Sequence, residues 1–394
     1  MSEIYLAIRG CDPLIFRDAR PFSAEPGASS AQSLSVPLSS TLAGMLRTRL
    51  GTLLNWNWAD TSYQEMARAT VVHGPVMAHN DVPHFPMPAD ALIYKDDHNI
   101  LKRMTLRPGL EEGYGSDLPD AERGLLPLKV TADGKPESDY EWWALEHLAR
   151  WLASKDGDEC EIPPKRRGLQ QEGRVHVGIN ADTGCSEEGM LFSTQAVAFE
   201  QYPHWDDANG SIDKTQDKTQ DKTQWTIQVR ILATDSLEKI GLEGLATLGG
   251  ERRLAAVKSV KTWDGCPQNV ADALKGMKQV RLYLATPAVF AGGWKPDFLD
   301  SDLEGTVPDT NVRVRLKSAA VKRREALSGW DYRQQVFGPK PVRWMVPAGS
   351  VYFFEVLEGN TAELSERWLK PLDTGIDEGQ PSRDGFGLGM WGVW

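Results

Sequence analysis

The sequence has few cysteines, and its apolar runs are short. The four cysteines among 394 residues never form a CxxC pair, so neither a disulfide framework nor a zinc finger is supported. The apolar run in MSEIYLAIRG is too short for a signal peptide, and no stretch is long enough to cross a membrane. These absences predict a cytoplasmic protein with reduced thiols and no membrane partner.

Motifs of common catalytic and cofactor sites are also missing. The one Gly-Lys pair, Gly134-Lys135, is followed by proline, which does not complete a phosphate-binding loop. No helix follows the terminal GFGLG to hold a dinucleotide. The spacing of His73, His79 and His84 favours hydrogen-bonded or solvated loop histidines over a metal site. No histidine lies in a recognisable acid–base motif, so we expect no cofactor, no metal and no catalytic residue.

Charge and composition narrow the class of protein. The net charge is -11, with 55 acidic against 44 basic residues, which argues against a nonspecific nucleic-acid binder but leaves room for a local basic groove. Fourteen tryptophans are many for this length and indicate interfaces as well as core. The segment DKTQDKTQDKTQ is either a duplication tolerated at an exposed loop, which we favour, or a binding repeat.

The first part of the chain has the pattern of one α+β domain. Ile4, Leu6 and Ile8 alternate along IYLAIRG as in a half-buried strand, and TLAGMLRTRLG predicts a helix with Ser39 or Ser40 as its N-cap. MLFSTQAVAFEQY and WTIQVRIL predict the two strands of a hairpin, LEGLATLGG a second helix, and LAAVKSV a final strand. This is the βαββαβ order of a ferredoxin-like domain.

Domain boundaries follow from this order. The first ferredoxin-like (RRM-like) domain is predicted over residues 1–265, with a large insertion at about 70–188 and an exposed hairpin tip at about 206–224. Within the insertion, KPESDYEWWALEHLARWLASK has the periodicity of an amphipathic helix. A second such domain is predicted over residues 270–394 from the strands KQVRLYL, NVRVRLKSAAV and VRWMVPAGSVYFFEVL and the short helix ELSERWLK. The predicted fold class is α+β, with two tandem ferredoxin-like domains.

Basic residues occur in small groups along this acidic chain. The groups are Arg17 with Arg20, Arg47 with Arg49, Lys165–Arg167, Arg252 with Arg253, and Lys322–Arg324. Arginine suits phosphate recognition because its planar guanidinium donates two parallel hydrogen bonds. The alternatives are ordinary solvated faces and, near the N-terminus, ion pairs with neighbouring aspartates.

Two glycine-rich segments could bring backbone close to a ligand. Gly249 and Gly250 precede the arginines of LGGERR, where backbone approach and charge would coincide. In the terminal GFGLG, the missing side chains would let another backbone lie close, and unpaired N–H groups could face phosphate oxygens. We expect Phe386 to pack between elements. The alternative for GFGLG is a glycine-rich turn between strands.

Six sequence blocks together resemble one protein family. The blocks are DPLIFRDARPF, PLSSTLAGMLR, LGGERRLA, LATPAVFAGGW, SGWD with VPAGSVYFFE, and GFGLG. In this order they resemble the Cmr-complex subunit three family of type III-B CRISPR systems, part of the RAMP superfamily. They span both ends and the second half of the chain but not the insertion or the DKTQ segment. The tail is similar to the RAMP signature loop, which the resemblance places near guide RNA.

The resemblance implies a noncatalytic RNA-binding subunit. It would bind the 5′ handle of CRISPR RNA and bridge the large signalling subunit and the backbone RAMP subunit of a ribonucleoprotein for antiviral defence. The residues that we expect to contact RNA are Arg17, Arg20, Ser39, Ser40, Thr41, Arg47, Gly249, Gly250, Arg252, Arg253, Gly385, Phe386, Gly387 and Gly389.

Two other functions stay open at this stage. One is a RAMP-type endoribonuclease that processes precursor CRISPR RNA with a histidine base near the glycine-rich segment or the first helix. The histidines fall mainly in the predicted insertion, with His204 near the hairpin, which disfavours this function. The other is a protein scaffold without RNA contact.

Overall fold

The protein is an α+β chain, seen here in a computed structural model. The structure describes residues 2–20, 29–96, 98, 100–110, 112–130, 134–155, 161–199, 205–206, 211–212, 224–233, 240–331, 337–372 and 375–394. Its α-helices in these ranges are α1 Ser39–Leu53, α2 Thr61–Ala69, α3 Leu145–Ala153, α4 Gln268–Leu274 and α5 Gln380–Asp384. Short 3₁₀ helices span Ala121–Arg123, Gly250–Arg252, Thr361–Arg367 and Ile376–Gly379.

Strands make up most of the remaining regular structure. In the first half they are β1 Ser2–Gly10, β2 Ser30–Ala31, β3 Val71–His79, β4 Val82–Pro86, β5 Ala91–Lys95, β6 Leu101–Thr105, β7 Arg107–Pro108, β8 Leu128–Lys129, β9 Trp142–Ala144, β10 Gln170–Ile179, β11 Ser186–Ala198, β12 Trp205–Asp206 and β13 Ser211–Ile212. They continue as β14 Trp225–Ala233, β15 Gly244–Thr247, β16 Leu254–Ser259, β17 Gln279–Leu284, β18 Glu304–Thr306, β19 Arg313–Ala320, β20 Glu325–Leu327, β21 Trp330–Asp331, β22 Gly338–Pro339, β23 Arg343–Met345, β24 Val351–Glu358, β25 Lys370–Pro371 and β26 Leu388–Val393.

Two large antiparallel sheets organise the chain. The first has seven strands in the order β15-β16-β1-β14-β3-β4-β9, and the second has six in the order β18-β19-β24-β17-β26-β25. In the first sheet β1 pairs with β14 and β16, and β14 pairs with β3. In the second, β17 pairs with β24 and β26, and β24 pairs with β19. Both sheets therefore contain four strands in the same spatial order: last, first, third and second along the chain.

The first helix forms where the periodicity predicts it. Leu42, Met45, Leu46 and Leu50 are buried along one face of α1. The predicted N-cap is wrong, however, because Leu38 is the cap residue and no side chain caps the helix. Ser39 is the first helical residue, and its hydroxyl is used in a tertiary contact described below.

The predicted second helix is absent from this part of the chain. LEGLATLGG forms β15 at the edge of the first sheet, where it pairs with β16, followed by a 3₁₀ turn. Gly244 and Gly249 have φ values of +115° and +77°, which a right-handed helix does not allow. The backbone conformation of these glycines thus overrides the helical composition of the segment.

The predicted hairpin between MLFSTQAVAFEQY and WTIQVRIL is also wrong. The first segment is β11, which pairs with β10 and β2 in a separate three-stranded sheet, whereas the second is β14. β10 lies immediately before β11 and joins it through a short turn at 180–185, so the local pairing wins. Most of the predicted hairpin tip at 206–224, with the DKTQ repeat and His204, lies outside the described residues.

Other predicted elements are present but differ in length or position from the prediction. The long helix predicted in the insertion is reduced to α3, because Trp142 and Trp143 extend the first sheet as part of β9. Residues 363–367 of ELSERWLK lie in a 3₁₀ helix, and Lys370 belongs to β25. β3, β4 and β9 all lie inside the predicted insertion, residues 70–188, yet they are strands of the main sheet. β3 is the partner of β14, so part of this region is integral to the sheet.

The two halves of the chain share one hydrophobic core. Trp143 and Trp151 from the first half belong to the same buried cluster as β17, β24 and β26. Arg281 of β17 is fully buried and pairs with the equally buried Asp90 at 2.7 Å. Trp151 contacts both partners, because its indole N–H donates to Asp90 at 3.1 Å and its carbonyl accepts from Arg281. A buried pair is stable only when such extra hydrogen bonds complete it.

The C-terminal strand packs closely against α3. A Cβ on Gly392 would lie 2.4 Å from the carbonyl oxygen of Leu152, a contact that requires backbone to move. Gly392→Ala should therefore lower the free energy of unfolding by about 1–3 kcal/mol through overpacking. Chemical denaturation of the purified protein measures this loss.

The matched control is the same change at Gly44. This residue lies on the exposed side of α1, and a Cβ there would have nothing within 4 Å. Gly44→Ala should raise stability by about 0.5–1 kcal/mol, because alanine loses less backbone entropy in a helix. Equal stability changes for the two variants would contradict the close packing of the C-terminal strand.

Candidate nucleic-acid interface

The glycine-rich tail is buried, and its backbone donors are bonded within the chain. The N–H groups of Gly385, Phe386 and Gly387 donate to Ser382, Pro381 and Pro287 carbonyls at 2.8–3.1 Å, and that of Leu388 to the Thr286 hydroxyl at 2.9 Å. The expectation of unpaired N–H groups in this segment is therefore wrong. α5 and residues 286–287 supply the acceptors, and neither source was visible from local sequence.

Close backbone approach does occur at the tail, with another part of this chain. Gly385 has φ +95°, and a Cβ on it would lie 2.6 Å from the carbonyl oxygen of Gly74 in β3. Gly387 has φ +72°, and a Cβ on Gly389 would lie 2.7 Å from the Leu282 side chain. The small residues thus let the tail lie against β3 and β17, so they serve packing between the two halves.

Phe386 packs between elements, as expected. It is 2% exposed and belongs to a small buried cluster with Val289, Met345 and Ile376. Leu38, immediately before α1, packs against the same cluster. Phe386 therefore also links the start of the first helix to the second half of the chain.

Two polar residues of α1 bind the tail. Arg47 pairs with Asp384 at 2.6 Å, with the two side chains 11% and 9% exposed, and it also donates to the Thr70 carbonyl at 2.7 Å. The Ser39 hydroxyl donates to the Gly385 carbonyl at 3.3 Å. We call the group Ser39, Arg47, Gly74, Asp384 and Gly385 the tail junction. Ser40 and Thr41 lie beside it, half-buried in the first turn of α1.

A histidine lies next to the tail junction. His73 precedes Gly74 in β3, so the expectation that the histidines lie away from the glycine-rich segment does not hold here. His73 is only 3% exposed, and its Nδ1 accepts a hydrogen bond from Arg230 at 2.6 Å. Burial, Arg230 and Lys370 lower the pKa of His73 to about 3. The ring is a buried neutral acceptor and lacks the access that a base acting on RNA needs.

The other two candidate metal ligands are also buried strand residues. His79 accepts from Arg166 at 2.8 Å, and His84 donates to the Val82 carbonyl at 2.8 Å. Burial lowers the pKa of both histidines to about 4. Among the described residues no group of three or more His, Cys, Asp or Glu is arranged to hold a metal ion. No helix in the described ranges is long and apolar enough to cross a membrane.

The segments that carry the first and the fourth basic group meet at the surface. The N–H of Gly250 donates to the Ile15 carbonyl at 2.8 Å, and Arg253 donates to the Pro13 carbonyl at 2.5 Å. A Cβ on Gly249 would lie 2.5 Å from the Ile15 oxygen, so glycine is required for this approach. We call the paired segments, residues 13–20 and 249–253, the arginine edge.

The arginine edge presents exposed guanidinium groups. Arg17, Arg20 and Arg252 are exposed. Arg20 pairs with Asp18 at 3.1 Å while its side chain stays 75% exposed, and Arg17 donates to the Arg20 carbonyl at 3.2 Å. Such exposed contacts are weak, so a phosphate can replace them. The alternative of an ion pair near the N-terminus is therefore present for Arg20 with Asp18, in an exposed form.

The LGGERR turn holds unusual backbone conformations. Glu251 and Arg252 have φ values of +59° and +51°, a region that costs energy for residues other than glycine. Such conformations cluster at ligand-binding sites, where the surrounding structure holds them in place. Arg253 is tied back to Glu251 at 2.7 Å, so Arg252 is the more accessible arginine of the pair.

One basic residue of this surface was missed from the sequence. Arg174 of β10 has its pKa raised mainly by its hydrogen bond to Glu172 and further by Asp12 and Glu251, which places it beside the arginine edge. No local pattern signals this position, because it depends on how the β10–β11 hairpin folds over the first sheet. The nearby carboxylates balance much of the positive charge of the surface.

Comparison with known proteins gives one family match. A family model described as CRISPR-associated protein (Cas_Cmr3) matches residues 6–394. No match was found among curated proteins.

Several solved structures show a low similarity. Two chains from the Type III-B Cmr-beta, bound to cognate target RNA with and without AMPPnP, are 16% and 17% identical. Each alignment covers 89% of this chain and 86% of the other, with a TM-score of 0.46. A chain of the Csm3-Csm4 subcomplex in the type III-A CRISPR-Cas interference complex is 10% identical over 91% of this chain and 94% of the other, with a TM-score of 0.32. These similarities are too low to carry an argument.

Arg47→Ala tests the tail junction. The change leaves Asp384 nearly buried without its partner, so the free energy of unfolding should fall by about 3–5 kcal/mol. Arg20→Ala is the control, because its ion pair is exposed and its loss should change stability by less than about 0.5 kcal/mol. Thermal and urea unfolding of the two variants measure the difference. A wild-type stability for Arg47→Ala would show that the tail does not depend on this pair.

His73 gives a pH test of the same region. Because its folded-state pKa lies below the unfolded value, the unfolded chain binds more protons as the pH falls, and stability declines below pH of about 6.5. Between pH of about 6.5 and 5 this one group should cost about 1–2 kcal/mol. In His73→Asn the amide oxygen can still accept from Arg230 but does not titrate, so the unfolding free energy should vary less over this range. An unchanged pH profile would contradict a buried neutral His73.

Proposed function

The chain belongs to the Cas_Cmr3 family of CRISPR-associated proteins, and from that premise we propose that it is a noncatalytic RNA-binding subunit of a type III-B effector complex. It binds the 5′ handle of CRISPR RNA and bridges the large signalling subunit and the backbone subunit for RNA-guided antiviral defence. The observation that carries the RNA-binding part is the arginine edge, where two distant segments bring exposed arginines together.

The chemistry of the arginine edge suits a phosphate backbone. Guanidinium groups donate paired hydrogen bonds to phosphate oxygens, and the turn with positive φ at Glu251 and Arg252 sets the backbone from which the Arg252 side chain extends. Nearby carboxylates keep the surplus of positive charge small, so the isolated chain should bind RNA weakly and with steep dependence on salt. Neighbouring subunits would supply the remaining affinity in the assembled complex.

The tail junction has a different role in this proposal. Within the tail junction, the side chains of Ser39 and Arg47 and the backbone of Gly385 make their contacts inside the protein. The same holds for Gly387 and Gly389, which follow it in the tail. We propose that they hold the two halves in the arrangement that positions the arginine edge. Their effect on RNA binding would then be indirect.

The domain architecture follows from the repeated strand order. We propose that each large sheet forms the core of a ferredoxin-like domain, over residues 1–265 and 270–394, because both contain the antiparallel order last-first-third-second. α1 is the first helix of the first domain. At the other helical positions this chain has strands, loops or short helices, so the domains would be irregular members of that class.

Charge reversal at the arginine edge tests the proposed function. In an effector complex assembled from its own subunits and CRISPR RNA, Arg17→Glu, Arg20→Glu and Arg252→Glu together should reduce ultraviolet crosslinks between the 5′ handle and this subunit by about tenfold or more. The physical reason is the loss of charge-assisted hydrogen bonds, each of which contributes about 1.5–3 kcal/mol. The amount of this subunit in the complex should stay near normal.

The control carries the same change in net charge elsewhere. Lys258→Glu, Lys261→Glu and Lys278→Glu alter three exposed lysines outside the arginine edge. Handle crosslinks in this control should match those of the unaltered complex. Full crosslinking in the arginine variant would overturn the assignment of the arginine edge, and no handle crosslink even in the unaltered complex would favour a scaffold without RNA contact. Cleavage of labelled precursor RNA by the purified chain would favour the endoribonuclease.

A further inference from the structure

One segment of this acidic chain is strongly basic and aromatic. Residues 321–344 contain six basic residues and only two acidic ones in a chain whose net charge is -11. The basic residues are Lys322, Arg323, Arg324, Arg333, Lys340 and Arg343. The same segment contains Trp330, Tyr332, Phe337 and Trp344. Charge and aromatic rings interleaved in this way are typical of surfaces that bind single-stranded nucleic acid.

The described part of this segment forms one two-stranded arm. β20 pairs with β23 and β21 pairs with β22, and between the two ladders the N–H of Lys340 donates to the Gly329 carbonyl at 2.9 Å. We call residues 323–331 and 337–344 the basic arm. Residues 332–336 lie outside the described part of the chain, so they belong to this segment by sequence composition alone and not by structure.

The base of the arm is attached to the second half of the chain. Leu327 packs against the cluster that contains Met345 and Phe386. Arg343 pairs with Asp377 at 3.0 Å. These contacts hold the arm in position at its base, so its outer residues are presented in a defined direction.

Two tryptophans of the arm are exposed. Trp330 is 46% exposed and Trp344 is 51% exposed. The guanidinium of Arg324 lies 4.3 Å from the centre of the Trp344 ring. An arginine stacked on an exposed indole combines a flat face for a nucleobase with a charge for its phosphate.

Not every basic residue of the segment is available to bind a ligand. Lys322 is tied down, because its ammonium donates to the Met87 carbonyl at 2.8 Å, and burial lowers the pKa of Lys322 to about 8. The charge of Arg343 is partly balanced by Asp377 in a half-exposed ion pair. Arg323, Arg324 and Lys340 are exposed and remain to meet a ligand.

Charge decides between RNA and a protein as the partner. Exposed tryptophans occur at both kinds of interface. The surplus of positive charge, however, is out of keeping with the acidic remainder of the chain, and a polyanion is its natural complement. The arginine edge has carboxylates among its arginines. In residues 321–344, by contrast, Glu325 and Asp331 are the only two acidic residues beside six basic ones.

We propose that the basic arm is a second RNA contact, on which bases of single-stranded RNA stack against Trp330 and Trp344 while Arg323, Arg324 and Lys340 bind phosphates. This inference rests on the proposed function, because the RNA is that of the same assembled complex. It adds a stacking surface, separate in sequence from the arginine edge, whose binding depends on ring faces as well as charge.

Crosslinking with ring-specific variants tests the arm. In the assembled complex, CRISPR RNA that carries 4-thiouridine at successive positions should crosslink to peptides containing Trp330 or Trp344. In the double variant Trp330→Leu and Trp344→Leu these crosslinks should fall by about tenfold or more, because leucine keeps an apolar surface but offers no ring on which a base can stack. Crosslinks at the arginine edge should remain. Trp58→Leu, at another exposed tryptophan, is the matched control and should leave all crosslinks unchanged.

The outcomes separate this inference from the proposed function. Loss of arm crosslinks in the double variant, with the arginine-edge crosslinks kept, supports the stacking surface. Arm peptides crosslinked to another protein subunit, and not to RNA, would overturn it, as would undiminished RNA crosslinks in the leucine variant. If the arm fails to crosslink while the arginine edge still does, the inference fails and the proposed function stands. Absence of RNA crosslinks from both surfaces would overturn both.

Discussion

The C-terminal tail packs directly on β3 and α1, and this contact ties the last residues of the chain to its first half. Gly385 lies so near Gly74 that no side chain fits between them, and the nearly buried pair of Arg47 and Asp384 closes the same contact. Farther along, Gly392 lies against α3, and Arg281 reaches Asp90 inside the shared core. Each contact joins residues more than 190 positions apart, so the two halves pack against one another.

This packing determines which surfaces are left for function. Because the tail is buried, its glycines serve packing between the two halves, and the exposed arginines lie elsewhere. The arginine edge forms where residues 13–20 meet the strained LGGERR turn, and the basic arm extends from the second half of the chain. In the proposed function, RNA binds to the arginine edge and the basic arm. The tail junction holds the two halves that carry these surfaces and does not itself contact RNA.

Local sequence patterns allowed some of the helices and strands to be predicted from the sequence. The apolar stripe of α1 and the apolar residues of β1, β14 and β17 predicted those elements correctly, because burial selects such residues. The three strands are buried on both faces, however, which the alternation along β1 did not indicate. The partners of the strands were not predicted correctly. β11 pairs with β10 and not with β14, and β15 forms a strand although the composition of its segment favours a helix. The role of Arg47 and the tail glycines was inaccessible for the same reason, since their partners Asp384 and Gly74 are distant in sequence.

Amide hydrogen exchange can show whether the tail is bonded within the protein or waits for RNA. The N–H groups of Phe386 and Leu388 are bonded within the protein, and we expect these bonds to persist when RNA binds. Their exchange should therefore be slow in the purified protein and equally slow in the assembled complex with CRISPR RNA. Fast exchange of these amides in the purified protein, with protection appearing only when RNA is bound, would contradict the account and make the tail an RNA-binding loop.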